Sequence, residues 1–176
     1  TTTKYPPDWA SITFMTVVHL GALFALIPSF FNWSALAVAL FLHWVTAGLG
    51  ITLGFHRMVS HRSFQTPRWL EYFLVFCGTL ACQGGPIDWT GLHRQHHLYS
   101  DQPNDPHDSN KGFWWSHFAW MIYKVPARAD IPKFTKDIAD DPFYQFCQNF
   151  MIPIQFVLLG VLYLLGGLPF VVWGVF

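Results

Sequence analysis

The sequence predicts an all-α fold, an integral membrane helical bundle of two transmembrane hairpins with the fourth helix cut short and a histidine-bearing cap on the cytosolic side. Three observations predict it. Of 176 residues, 52% are hydrophobic and only 11% are charged, against about 25% in soluble domains. Charge is also segregated, with no Lys, Arg, Asp or Glu between Ile12 and Phe55 or between Pro142 and Phe176. Between those stretches, His56 to Asp141 holds nine bases, nine acids and two compact histidine clusters, "HRMVSH" and "HRQHH". The balance of ten bases against ten acids gives no reason to expect a nucleic-acid partner.

A bilayer core takes about 20 apolar residues of helix. "SITFMTVVHLGALFALI", residues 11–27, is therefore a short first span and residues 33–55 a comfortable second. The first lacks the basic leader and small-residue cleavage site of a signal peptide and reads as an anchor helix. "PSFFNW" between the spans is long enough only for a tight hairpin, with Pro28 and Asn32 as breakers. Lys4, Arg57, Arg62 and Arg68 flank the open ends of that hairpin while its turn is uncharged, so the positive-inside rule puts both histidine clusters in the cytosol. The apolar run over 69–82 is about 20 Å long as a helix, too short to cross a core of about 30 Å. It is expected to lie in or on one face, because a crossing would separate the two clusters. Residues 99–141 read as a polar, aromatic cap on the membrane surface. A third span is expected over 143–165, then a turn at "GGLP" and the start of a fourth helix at 169–176. "LPFVVWGVF" ends without a polar flank and reads as a cut.

Cys77, Cys82 and Cys147 form no CxxC pair and stand in apolar surroundings, which makes them packing residues. The histidines are more telling. On a helix at 100° per residue, His93, His96 and His97 fall within about 100° of one another and can serve one metal site. His56 and His61, five apart, diverge by about 140°; they approach one centre from two directions or serve two adjacent metals. Imidazole suits iron, zinc, copper and nickel, and neither cluster contains a Cys or carboxylate to favour one. A structural alternative makes these histidines interfacial polar residues, with Arg57, Arg62 and Arg94 as topology anchors. A pair within the spans, His19 and His43, is a conceivable haem site, with interhelical hydrogen bonding as the plainer reading. His107 and His117 read as ordering residues, and "GFWWSHFAWMIY" as an interfacial aromatic belt.

Taken together, HxxxxH, then HxxHH about forty residues on, then "DPHDSNKGFWWSH", resemble the membrane fatty acyl desaturases. The stretch "GITLGFHRMVSHRSFQTPRWLEYFLVFCGTLACQGGPIDWTGLHRQHHLYSD" is similar to the delta-9 acyl-lipid desaturases of cyanobacteria and chloroplasts. That resemblance implies a single desaturase domain over residues 1–176, incomplete at its C-terminus, with His56, His61, His93, His96 and His97 as ligands of a non-haem di-iron centre. Two iron ions, dioxygen and two electrons would convert a saturated acyl chain into a cis-monoene. Ferredoxin is the implied donor for an acyl-lipid substrate, and cytochrome b5 for acyl-CoA. The family's third HxxHH box is expected beyond Phe176, so residues 1–176 alone are expected to be inactive. Cyanobacterial plasma or thylakoid membrane, or chloroplast membrane, is the implied location.

The chemistry agrees with the resemblance. A methylene C–H bond has no acidic proton for a general base, so a cofactor must carry the reaction, and imidazole withstands an oxidant better than thiolate. Two other functions remain open. A di-iron hydroxylase of sterols, alkanes or carotenoids shares such histidine boxes. A metal transporter or haem-binding membrane protein would instead place its ligands at mid-membrane, near His19 and His43.

Overall fold

The computed structural model describes residues 5–176; Lys4, one of the charges that orient the first hairpin, lies outside them. Among the described residues the regular structure is helical, and the β content is one isolated bridge between Pro7 and Tyr123.

Helix α1 (Trp9–Leu23) runs on through a 3-10 turn at Phe24–Leu26. A second such turn, Pro28–Phe30, reverses the chain. Asn32 then opens α2 (Trp33–His43) with extended backbone and a side-chain oxygen that accepts from the Ala35 amide at 2.7 Å, satisfying one of the free amides of a helix start. The helix continues without a break as π-helix over Trp44–Ser60, so Trp33–Ser60 is one rod of 28 residues. Helices α3 (Arg68–Leu80) and α4 (Pro86–Tyr99) follow, then short helical turns including α5 (Phe113–His117) and α6 (Ile131–Phe134) in the cap.

The third apolar segment differs from the single span expected over 143–165. It is two helices, α7 (Pro142–Asn149) and α8 (Met151–Val175), parted at Phe150, whose φ of −108° and ψ of 14° are not helical. The cause is local. Asp141 caps α7 through the amides of Phe143 and Tyr144 at 2.9 and 3.1 Å, and Gln145, Gln148 and Asn149 give α7 a polar face that lipid would not accept. At Gly167 the backbone takes φ 66° and ψ −157°, a conformation reserved for glycine, and Pro169 follows. The chain reverses there: a Cβ at Gly174 would lie 2.9 Å from Leu162 Cδ1, residues that a straight helix would hold about 18 Å apart. Met151–Val175 is therefore a hairpin of helical arms.

Trp9–Leu26 and Trp33–Ser60 are long and apolar enough to cross a membrane as single helices, and Met151–Val175 reaches that length only with its two arms counted together. Their outward faces carry large side chains such as Leu20, Leu40, Phe41, Phe156 and Leu164, as lipid requires and water would not. The packed core sits elsewhere, where the π-helix, α3 and α7 meet. Phe55, Met58, Val59, Leu74, Val75, Ile138, Tyr144 and Cys147 form it, with Phe55, Val75 and Cys147 fully enclosed. Close backbone approach makes this contact. Gly50 lies on α3 so tightly that a Cβ would overlap Gly78 N and Cys77 C.

Gly50→Ala should therefore force the rod away from α3 and destabilise the protein by about 1–3 kcal/mol. Gly160→Ala, in open space on α8, should leave the thermal unfolding midpoint in detergent unchanged. Equal losses from the two substitutions would refute this packing.

Candidate metal centre

The π-helical end of the rod resolves the awkward spacing of "HRMVSH". In a π-helix each amide bonds the carbonyl five residues back, so residues i and i+5 stack on one face. The His61 amide donates to the His56 carbonyl at 3.0 Å, and Ser60 Oγ to the Phe55 carbonyl at 2.7 Å. His56 and His61 consequently share a face, their ring centroids 4.6 Å apart. The divergence of about 140° expected of an α-helix is thus removed by the change of helix type.

Helix α4 brings the second set. Pro86 occupies its first turn, where no amide partner is needed, and the amides of Ile87 and Asp88 donate to Gln148 Oε1 of α7, each at 3.1 Å. That long-range cap fixes the start of the helix. One turn apart, His93 and His97 face the rod. Their Nε2 atoms are 3.1 Å from each other, His61 Nε2 is 3.2 Å from His93 Nε2, and His56 Nε2 is 3.1 Å from His61 Nε2. All four imidazoles offer a nitrogen within 4.8 Å of the others.

These spacings fit a metal. With metal–imidazole bonds of about 2.0–2.1 Å, neighbouring ligand nitrogens lie about 3.0 Å apart at a right angle and about 3.4 Å apart in a tetrahedron. The electrostatics fit as well. Burial, reinforced by the other four histidines, pushes His93 down to about 3. His61 is also lowered, by burial and then by His56 and His97. Both are neutral at physiological pH, the form that binds a metal.

His96, on the same turn as His93 and His97, does not join those four. About 100° from His97 around the helix, it lies instead with Asp105 and His107. Its Nδ1 is 3.0 Å from both Asp105 oxygens, and its ring stacks on His107 at 4.0 Å. Burial raises the affinity of Asp105 for a proton, but bonds from His96 and from the Asp101 and His107 amides outweigh it, so the carboxyl is held below its usual range. Asp105 opens the "DPH" motif, but nothing in the sequence paired it with His96, nine residues before it. The pair inside the spans behaves differently. His19 bonds the Met15 carbonyl of its own helix at 2.7 Å, and neither His19 nor His43 belongs to a metal-competent group among the described residues. His117 is likewise local, bonded to the Phe113 carbonyl at 3.0 Å.

The fatty acid desaturase family model matches residues 9–176. Over the whole of its length the chain is 65% identical to the sn-1 stearoyl-lipid 9-desaturase of Anabaena variabilis, covering 65% of that protein. The chain belongs to the fatty acid desaturase family. It is also 61% identical, over 98% of its length and 54% of the relative, to the sn-1 stearoyl-lipid 9-desaturase of a Synechocystis species. Similarity extends to the chloroplastic palmitoyl-monogalactosyldiacylglycerol delta-7 desaturase of Arabidopsis thaliana, 43% identical over 95% of this chain and 45% of that protein. The chain thus spans about two thirds or less of the curated relatives it matches. Among the described residues the histidine clusters, with Asp105, are the groups that could bind a metal.

In this desaturase-family chain a clamp of charge holds the two boxes together. Arg94, between His93 and Gln95, donates to the Val59 carbonyl at 2.7 Å and the Ser60 carbonyl at 3.4 Å, so it closes the end of the π-helix. It also donates to the Phe134 carbonyl at 2.7 Å and grips both Asp137 oxygens at 2.6 and 3.0 Å. Arg62 meets the same carboxylate at 2.6 Å. Burial works against ionisation of Asp137, but the two guanidinium groups prevail and hold it at about 2. A planar, five-donor group makes this set of bonds and an ammonium does not. Arg94 is therefore a bracket, where the sequence offered only a topology anchor.

Because the folded-state value of Asp137 is depressed, its contribution to stability is complete above the ordinary carboxylate range near pH 4 and is lost as pH falls toward 2. Allowing for solvent screening, Asp137→Asn should lower stability at neutral pH by about 1 kcal/mol. Its unfolding curve should converge with that of the parent near pH 2. Arg94→Lys should be worse at every pH, since it also frees buried carbonyls, and should release bound metal faster to a chelator. A loss from Asp137→Asn that persists unchanged to pH 2 would contradict the pairing.

Proposed function

We propose that this chain is the membrane and metal-binding part of a delta-9 acyl-lipid desaturase. Such an enzyme introduces a cis double bond into a saturated acyl chain at a non-haem di-iron centre, with dioxygen and two electrons. The observation that carries the reading is the convergence of His56, His61, His93 and His97 on one point at metal-ligand spacing. The names of the relatives support the substrate class and bond position, since two are stearoyl-lipid 9-desaturases.

The four convergent histidines would hold one iron, and His96 would contribute to a second beside it. Bound iron supplies the dioxygen and one-electron chemistry that a methylene C–H demands and side chains lack. The chain's own part is to hold and orient. The π-helix and α4 fix the nitrogens, burial keeps His61 and His93 unprotonated, and Arg94 binds the two boxes into one body. A lipid substrate fits a scaffold whose long helices expose apolar faces. We assign the histidine clusters to the cytosolic side of a multi-pass protein in a cyanobacterial or chloroplast membrane, with ferredoxin as electron donor and cytochrome b5 as the alternative.

Full-length protein purified in detergent should carry two iron ions per chain and no haem absorption, and His93→Ala should lose most of that iron. Cells expressing it should accumulate cis monoenes with the bond at carbon nine, measured by gas chromatography of membrane fatty acids. Zinc in place of iron, or hydroxylated acyl chains in place of monoenes, would sink the assignment.

A further inference from the structure

Among the five box histidines, only His96 bonds a carboxylate. The other four orient one another through edge-on ring contacts with centroids 4.5–5.3 Å apart. The ring of His96 lies further off, 5.5 Å from His97 and 6.4 Å from His93. Something else must fix it.

Asp105 is built for that task. Its side chain is wholly shielded from solvent, a rare place for a carboxylate unless it is paired. Among the described residues no Lys or Arg reaches it. Its oxygens accept from the Asp101 amide at 2.8 Å and the His107 amide at 3.0 Å, and each lies 3.0 Å from His96 Nδ1. A carboxylate can only accept, so the hydrogen of the third contact belongs on Nδ1. That leaves the Nε2 lone pair of a neutral His96 free. Rotation of the ring is blocked as well, because His107 stacks on it at 4.0 Å and Trp120 backs His107 at 5.3 Å.

We propose that Asp105 is the positioning residue of the second metal site, holding the tautomer and plane of His96 through Nδ1 so that Nε2 is presented to the metal. The proposal rests on the di-iron reading, and is the carboxylate–histidine–metal arrangement that raises ligand basicity and fixes ring orientation. It gives the "DPH" loop a purpose. Asp105 anchors one ring face-on to His107 while the loop backbone holds the carboxylate still.

The test is a double-mutant cycle on full-length apo protein titrated with Co(II), read by visible absorption and chelator competition. Two binding steps are expected in the parent. Asp105→Asn should weaken one of them 10- to 100-fold and leave the other within twofold. His96→Ala should weaken that same step, and adding Asp105→Asn to His96→Ala should change it no further. Should Asp105→Asn fail to accumulate, Asp105→Glu, whose carboxylate is displaced by one methylene, should weaken the same step and lose its effect in the His96→Ala background. Equal weakening of both steps, an effect that adds to His96→Ala, or a parent that binds one Co(II) only would overturn the proposal. The desaturase reading is judged apart, by iron content and fatty acid products, so two cobalt steps with the expected coupling but no monoenes would reject that reading and leave Asp105 in its role.

Discussion

Four imidazole nitrogens within 4.8 Å of one another, linked by three contacts of 3.1–3.2 Å, are a constraint on everything around them. Protons there are scarce: burial, and then the charge a neighbouring imidazole would carry, lower the affinity of His93 for one. Such a group does not assemble itself. It must be imposed by rigid elements, and the elements that impose it are the π-helical end of a 28-residue rod and helix α4. The rod supplies i and i+5 on one face; α4 supplies i and i+4. The two register rules differ, and their meeting makes the cluster.

Rigidity here comes from two sources of unlike kind. Beneath the histidines lies a dry apolar core, Phe55, Val75, Tyr144 and their neighbours, in which the rod and α3 touch backbone to backbone at Gly50. Around the histidines lies a polar frame, Arg94 with Asp137 and Arg62, which spans the rod, α4 and the cap. The frame does what the core cannot, because the end of a helix leaves carbonyls that only donors can satisfy. Lipid-facing length, by contrast, contributes little to the site beyond placing it.

How much of this was legible in the sequence follows from the physics of each signal. Hydropathy runs fix long apolar helices because lipid admits nothing else, so the hairpins at Pro28–Asn32 and at Gly167 could be read from breakers. The convergence of the boxes could be inferred from topology, since both had to emerge on one face. Two features were hidden. Helix type is not encoded in apolar periodicity, so the π-helix that aligns His56 with His61 went unread, and an α-helical wheel sent the pair in different directions. Nor does local sequence announce contacts across a loop, so the pairing of Asp105 with His96 and the clamp of Arg94 stayed invisible. The break at Phe150 was partly legible, as Gln145, Gln148 and Asn149 interrupt the apolar run, yet the aromatic residues beside them masked it.

The cap that Gln148 places on α4 has a mechanical side. The helix that carries three of the five box histidines is held at its base by a side chain from α7, the segment leading into the hairpin of Met151–Val175. Any tilt of that segment pulls on α4 along its axis, and so on His93 and His97 at the other end. One side-chain amide oxygen thus ties the position of α7 to the histidine cluster.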